Sequence, residues 1–388
     1  MSNLALIDTY FTELCAIRHD LHAHPEIGFK ETRTSQVVAR LLGEYGVDEL
    51  HTGIGGTGVV ALIHGKLGAG GRVGLRADMD ALPMNEDTGL PFTSTHPGCF
   101  HGCGHDGHTT MLLGAARYLA ETRNFAGTAV LIFQPAEEGL GGARRMIAEG
   151  LFERFPVDEI YGMHNAPHQG EGEILIYPGP AMAGADFFDI NIKGRGSHAA
   201  APHVSHDPVI VCGALIQALQ SVVSRNIDPL EPAVLSITQV HSGSAYNVIP
   251  QTAMLAGTVR VFSDAARQLV RQRMQKVVQG IAASFEVEIE LDMRDVFTVL
   301  ENAEGPASAM EAVARELVGD AKVSTKVRRA MGSEDFADML KVVPGAYCWV
   351  GHSGTVPLHN PGFFLGDEIL PLGASLYSRL VERRLAAR

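Results

Sequence analysis

A run of eight residues, His101–His108, constrains this chain more than any other stretch. It holds three histidines, one cysteine and one aspartate, separated only by glycines that allow tight backbone turns. Imidazole and thiolate together are typical ligands of a transition metal. A complete site needs further donors, so the fold must bring distant parts of the chain to this run.

Three distant segments carry such donors close to the ends of predicted buried strands. A glutamate pair follows the apolar run Gly127–Phe133, one histidine ends the run Glu159–Met163, and another follows Ala346–Gly351. In open α/β sheets, ligands gather at the carboxyl ends of the strands. We therefore expect five side chains to meet at one sheet edge: Cys103, His105, Glu138, His164 and His359.

Five donors exceed the number that one open tetrahedral zinc site uses, so two divalent ions sharing a ligand are the economical interpretation. Thiolate and imidazole favour zinc, nickel or cobalt, and manganese remains open. Glu137 is the natural general base, because ligation of Glu138 would hold it beside the reacting water while leaving its own carboxylate free. On spacing alone, a solvated glutamate pair on a surface loop is equally compatible.

Several nearby polar residues have more than one interpretation. The first group precedes Pro25 and is compatible with metal ligation, but more often such residues pack or face solvent: His19, His22 and His24. Asp78 and Asp80 could bind metal, orient a metal-binding histidine or simply form a turn. His108 could be a ligand or a residue at the start of a helix.

The order of the predicted elements indicates an α/β protein with two domains. A chain of 388 residues exceeds the size at which one core usually keeps growing. Strands alternate with helices in residues 1–184 and 297–388, which predicts a three-layer catalytic metal-binding domain with a mostly parallel sheet. From about Ala183 the strands alternate apolar and polar residues, which predicts an inserted α+β domain at 185–296.

Composition excludes several classes of partner. The formal charge of −13 argues against nucleic acid or an anionic membrane as the main partner, and a small-molecule substrate is expected instead. No run approaches the roughly 18 apolar residues of a membrane-spanning helix. The N-terminus lacks the pattern of a signal peptide, and the five cysteines form no disulfide framework, so we expect a cytoplasmic protein.

Seven motifs occur in an order that resembles one family of metal-dependent amidohydrolases, the hippurate hydrolases, aminoacylases and indoleacetyl-amino-acid hydrolases. The motifs are Arg18–Glu26, Arg76–Pro83, Gly102–His108, Gln134–Gly139, Ser197–Ala200, Asn247–Pro250 and Gly332–Phe336. The resemblance covers nearly the whole chain. It implies hydrolysis of the amide bond of N-acyl amino acids, and it assigns the same five donors to a two-metal site and Glu137 to acid/base work.

The resemblance also implies roles that spacing cannot give. The inserted domain would be a lid that mediates assembly into a homodimer or homotetramer. His198 would reach across a dimer to stabilise the tetrahedral oxyanion, and Asn247 and Arg260 would lie near the substrate. Without the family these three would be a loop histidine, a turn asparagine and a surface arginine.

Three other functions are compatible with parts of the pattern. A dipeptidase would use the same metal chemistry on peptide bonds. An amidase with Cys103 as nucleophile and His105 as its partner would ignore chelators, but it leaves the other three donors unexplained. A non-catalytic protein in which metal only braces the fold would need closed coordination and no free Glu137.

Overall fold

The structure, a computed structural model, describes residues 3–326 and 328–387, which form two compact units. The first unit comprises the chain up to Gly179, Glu301–Arg328 and the chain from Asp335 onward. The second comprises Pro180–Leu300 and Arg329–Glu334. The segment Arg329–Glu334 was expected in the first domain, but it belongs to the second unit. Backbone hydrogen bonds hold it there, because Ala183 N–H donates to the carbonyls of Ala330 and Gly332, at 3.0 and 3.1 Å.

The described residues of the first unit form nine α-helices. They are α1 (Asn3–Ile7), α2 (Phe11–Ala23), α3 (Thr32–Tyr45), α4 (His105–Thr122), α5 (Gly142–Ala148), α6 (Leu151–Arg154), α9 (Glu304–Val318), α10 (Phe336–Leu340) and α11 (Leu370–Arg384). Short 3-10 helices cover Asp8–Tyr10, Asp320–Lys322 and Asp367–Ile369. The single helix expected from Leu4 to Leu21 is thus divided at Asp8–Tyr10, and it ends just before the residue preceding Pro25, where the proline ring disfavours helical backbone.

Eight strands in the described part of the first unit form one sheet. They are β1 (Glu49–Ile54), β2 (Gly58–His64), β3 (Arg72–Asp78), β4 (Thr128–Gln134), β5 (Glu159–Ala166), β6 (Ile174–Leu175), β15 (Val323–Ser324) and β16 (Gly345–Gly351). The strand order is β1-β2-β4-β3-β5-β16-β6-β15, and the four central strands β4, β3, β5 and β16 are mutually parallel. Strand β1 was not expected, because its residues are mostly exposed and lack an apolar pattern. Strands β7 (Gly179–Met182) and β14 (Leu300–Asn302) lie where the chain passes from one unit to the other.

Both faces of the central sheet are covered. Leu131 and Phe133 of β4 belong to a core cluster that includes residues of α4 and α11. Val130 and Ile132 point to the opposite face, since side chains alternate along a strand, and they are also fully buried. The continuous apolar run of β4 is therefore that of a strand buried on both sides, and the expected three-layer α/β architecture is confirmed.

The second unit is an antiparallel sheet with two long helices on it. Its elements are β8 (Gly184–Lys193), β9 (Ser197–His198), α7 (Pro208–Asn226), β10 (Ala233–Ser242), β11 (Val248–Ile249), β12 (Thr252–Val261), α8 (Asp264–Phe285) and β13 (Glu288–Phe297), with a 3-10 helix at Pro202–Val204. The order β10-β12-β8-β13 is antiparallel throughout. Phe188, Ile190 and Ile192 point into the core beneath α7 and α8, as the alternation in β8 predicted.

By length and composition alone, helix α7 could cross a membrane, although no membrane-spanning run was expected from the sequence. Its residues Val211, Leu215 and Leu219, however, are buried in the core of the second unit. Core helices of globular proteins can be as long and as apolar, so one such helix among the described residues is a weak indication of a membrane span.

Candidate metal centre

The sheet edge at the carboxyl ends of β3, β4, β5 and β16 carries the expected donors. Glu138 follows β4, His164 lies near the end of β5, and His359 lies in the loop after β16. Cys103 and His105 arrive from the segment that starts α4, whose preceding residue Gly104 has a left-handed backbone (φ +88°). Parallel strands end at a common edge, which explains why donors far apart in sequence meet here.

The five donors form two overlapping groups. Within each group the ligand atoms lie within 4.8 Å of one another. One group is Cys103, His105 and His164, and the other is Cys103, Glu138 and His359. Cys103 Sγ lies 3.4 Å from His164 Nε2, and Glu138 Oε1 lies 3.3 Å from His359 Nε2 and 3.9 Å from His105 Nε2. Cys103 belongs to both groups, which is the arrangement that two ions sharing one ligand require.

The residues present fit divalent ions of the transition series. His105 Nε2 is buried without a hydrogen-bond partner among the described residues, although buried polar atoms are nearly always paired. Its neighbours Cys103 and Glu138 are also metal-ligand types, and Glu138 Oε1 lies 3.9 Å away, too far for a hydrogen bond. The thiol, imidazole and carboxylate set matches the ligands of zinc, cobalt or nickel.

Asp80 holds two of the donors in place. One of its carboxylate oxygens lies 3.3 Å from His105 Nδ1, and the other accepts the backbone N–H of Glu138 at 3.0 Å. A carboxylate on Nδ1 directs the lone pair of a histidine to Nε2, which is how metal-binding histidines are commonly oriented. Of the three interpretations of Asp80, the contacts favour orientation of a histidine.

The charges of the cluster reflect close packing of donors. Burial and the nearby Glu138 raise the pKa of the Cys103 thiol. Hydrogen bonds to Cys103 and Glu138 raise the pKa of His359 to about 10. Burial, together with the neighbouring His108, lowers the pKa of His164 well below its usual range. The raised pKa values of Cys103 and His359 mean that a divalent cation would compete with protons at these two donors.

Glu137 lies beside this cluster on a constrained turn. Its carboxylate is buried, and with His105 and Glu138 it forms a further group of donors within 4.8 Å of one another. The preceding Ala136 has φ +56°, a conformation that costs energy for a residue other than glycine. The solvated surface pair considered for Glu137 and Glu138 is thus not what the structure contains.

Four other candidate histidines have hydrogen-bond partners of their own: His19, His22, His24 and His108. His108 Nδ1 lies 2.7 Å from Asp78, and its Nε2 accepts the backbone N–H of Asn165 at 3.0 Å, so neither nitrogen is left for a metal. His19 contacts Asp367, His24 contacts the carbonyl of Asp20, and His22 contacts Asp106 and Glu86. Among the described residues, none of these last three belongs to a group of donors close enough to hold an ion.

The three residues taken from the family resemblance lie in the second unit. His198 of β9 pairs with Val248 of β11, and the carbonyl of Asn247 accepts the N–H of Ala199 at 3.0 Å, so His198 and Asn247 are neighbours. Arg260 of β12 donates to Ser333 Oγ at 2.7 Å, and burial lowers the pKa of its guanidinium.

A buried ion network beneath the site was not predicted. Arg76 contacts Asp78 at 2.8 Å and Asp335 at 3.1 Å, and Gln134 donates to the same Asp335 oxygen at 2.7 Å. Arg76 and Asp335 lie in two of the motifs quoted above. Polar residues inside otherwise apolar strands were the signal that could have revealed the network, because such residues are buried only when paired.

The chain is similar over nearly its whole length to known hydrolases. The family model for peptidase family M20/M25/M40 matches residues 74–383. Hippurate hydrolase of Campylobacter jejuni is 41% identical (95% of this chain, 96% of that protein), and N-acetylcysteine deacetylase of Bacillus subtilis is 40% identical (96% of each). The crystal structure of the Bacillus subtilis YXEP protein, described as a dinuclear metal-binding peptidase of the M20 family, is 36% identical with a TM-score of 0.86, covering 98% of this chain and all of that one. The chain belongs to the peptidase family M20/M25/M40.

Proposed function

We propose that this protein is a divalent-metal-dependent amidohydrolase that cleaves the amide bond of N-acyl amino acids to a carboxylic acid and a free amino acid. The observation that carries the proposal is the convergence of five donor side chains beside the buried carboxylate of Glu137. The curated relatives named above act on N-benzoylglycine and N-acetylcysteine, which share an acylated amino acid and differ in the acyl group and side chain.

Two ions would be held by the five donors, with Cys103 shared between them. Bound divalent ions polarise a carbonyl and lower the pKa of water, which supplies the electrophilic part of amide hydrolysis. Glu137 would take the proton of the attacking water and return it to the departing amine, a role supported by the position of its carboxylate beside the donors. Asp80 keeps His105 in the tautomer that leaves Nε2 for ligation.

The second unit would be the lid and dimerisation domain, with His198 stabilising the oxyanion across a dimer and with Asn247 and Arg260 near the substrate. His198 is exposed, so it is accessible to another subunit. Tyr246 and Val248, close to His198 in sequence or pairing, are exposed apolar residues that association would cover. A homodimer is the simplest assembly. Sedimentation of the H198A variant measures its assembly, and hydrolysis of N-benzoylglycine by the same variant measures its activity, so the two together test whether His198 serves catalysis, assembly or both.

The site disfavours the cysteine-nucleophile alternative. A nucleophilic cysteine needs a depressed pKa and some exposure. Cys103 is buried, and its burial and the nearby Glu138 raise the pKa of its thiol. Dipeptide cleavage uses the same ions and the same base, so it stays a second candidate to be separated by substrate.

The reduced thiol supports a cytoplasmic location and a thiophilic metal. Within the described chain all five cysteines are free, as expected where disulfides do not form. Zinc, cobalt and nickel suit the thiol and imidazole donors, and manganese suits the carboxylate, so these four are the ions that we propose.

The test is a substrate panel run on metal-free protein and again after each ion is added back. N-benzoylglycine, N-acetylcysteine and glycylglycine separate the two classes of substrate. We expect chelation to abolish hydrolysis of the N-acyl amino acids and a divalent ion to restore it. Glycylglycine cleaved in preference to both would favour the dipeptidase, and activity indifferent to chelation would overturn the proposal.

A further inference from the structure

A buried network of hydrogen bonds connects two of the loops that carry the donors, those of Cys103 and His359. Asn165 follows the donor His164 on β5 and is fully buried. Its side-chain N–H donates to the carbonyl of Cys103 at 2.6 Å, and its backbone N–H donates to His108 Nε2 at 3.0 Å. Its side-chain oxygen lies 3.1 Å from Nε2 of His352, the first residue after β16.

Backbone groups fix the direction of the hydrogen bonds in this network. The Cys103 carbonyl can only accept, so the amide nitrogen of Asn165 must face it. The backbone N–H of Gly354 can only donate, and it lies 3.0 Å from His352 Nδ1. The proton of His352 is therefore on Nε2, where it is donated to the Asn165 oxygen. The network has one orientation, so it can hold its members in one geometry.

The same residues tie down two of the loops that bring donors from outside the strands. Gly104, next to Cys103, packs so closely that a Cβ there would lie 2.5 Å from Asn165 Nδ2. The loop after β16 is fixed at His352 by Asn165 and again at His359, whose backbone N–H donates to the Gly102 carbonyl at 2.8 Å. His359 itself has φ +60°, a conformation that needs support from its surroundings.

We propose that Asn165 and His352 are positioning residues that set the geometry of the metal centre by joining the Cys103 loop to the His359 loop. Neither side chain is itself a donor to the ions, since the atoms of Asn165 and both nitrogens of His352 are occupied by the hydrogen bonds above. The inference depends on the metal centre of the proposed function. Outer partners of metal ligands typically change metal affinity or activity about 10- to 100-fold when lost.

Two replacements of His352 with similar volume separate this role from simple packing. His352→Gln keeps a donor for the Asn165 oxygen and an acceptor for the Gly354 N–H, whereas His352→Leu keeps only bulk. The readouts are titration of the metal-free protein with cobalt, followed by visible absorption, and thermal unfolding of the metal-free protein. His51→Ala, on the edge strand β1, is the control for loss of a histidine elsewhere in the unit.

We expect H352L to bind cobalt about 10- to 100-fold more weakly, with a changed absorption band, while H352Q and H51A stay close to wild type. Asn165→Ala is the same test from the other end of the contact if H352L does not fold. If wild type binds cobalt, two results would overturn this inference but not the proposed function. One is a folded H352L or N165A variant with the cobalt affinity and spectrum of wild type. The other is an H352Q variant that loses as much cobalt affinity as H352L. A wild type that binds no cobalt would remove the proposed metal centre as well.

Discussion

His22 gives the first unit a stability that depends on pH. Its ring lies between the carboxylates of Asp106 on α4, at 2.9 Å, and Glu86, at 3.3 Å. Burial alone would lower the pKa of His22, but the charge of Asp106 and the hydrogen bonds to Asp106 and Glu86 outweigh burial and raise that pKa to about 9. Arg18, which pairs with the same Asp106, and the buried ring of His101 are the other ionisable groups that face it.

The sign and size of this pH dependence follow from the difference between the pKa of His22 in the folded protein and its pKa in the unfolded chain. The pKa of His22 is higher in the folded protein than in the unfolded chain, so protonation of His22 favours folding. This stabilisation is complete below pH 6.5 and is lost as pH rises through about 9. The difference, at about 1.4 kcal/mol per pKa unit, amounts to about 3 kcal/mol, and burial of both partners protects it from screening by salt.

The perturbation is His22→Gln, which keeps an N–H donor for one carboxylate but cannot titrate. The assay is urea unfolding of metal-free protein between pH 6 and pH 9.5, followed by fluorescence of Trp349, the single tryptophan, which lies on β16 of the first unit. We expect wild type to lose about 3 kcal/mol more than H22Q across this range. Equal pH dependence in the two proteins would refute the reasoning, because all other titrating groups are common to both.

Three further changes test separate parts of the structure. E137Q should lower kcat about 10²- to 10⁴-fold with cobalt content unchanged, measured on N-benzoylglycine, and retained turnover would contradict its role as base. D335N should cost about 3–5 kcal/mol of unfolding free energy by leaving buried Arg76 undercompensated, against less than about 1 kcal/mol for D320N in an exposed pair; equal effects in denaturant would contradict this. D207A removes the acceptor for Val209 N–H at the start of α7 and should cost about 1 kcal/mol in thermal unfolding, with no loss indicating that the cap is dispensable.

Much of the site's layout could be predicted from sequence because each donor sits next to a strong local signal. Buried parallel strands are recognisable as apolar runs, and their carboxyl ends share an edge, so Glu138 and His164 were predicted to approach Cys103. The alternation of β8 likewise predicted a sheet with one covered face.

The partners that orient the donors could not be predicted in the same way. Arg76 and Asn165 are single polar residues within strands, and His352 directly follows one. Nothing local says which distant group each one meets. His22 looked like a residue of a helix end, yet it is buried against α4, since only the tertiary packing of α2 decides its partner. Edge strand β1 was missed because it is defined by pairing with β2 rather than by burial.

Metal stoichiometry of activity tests the central claim most directly. Metal-free protein would be titrated with cobalt or manganese while N-benzoylglycine or N-acetylcysteine hydrolysis and bound metal are measured together. The five donors with Cys103 shared predict activity that depends on added ion and levels off at about two ions per chain. Full activity of the metal-free protein would contradict the claim, and so would protein saturated with cobalt or manganese that hydrolyses neither substrate.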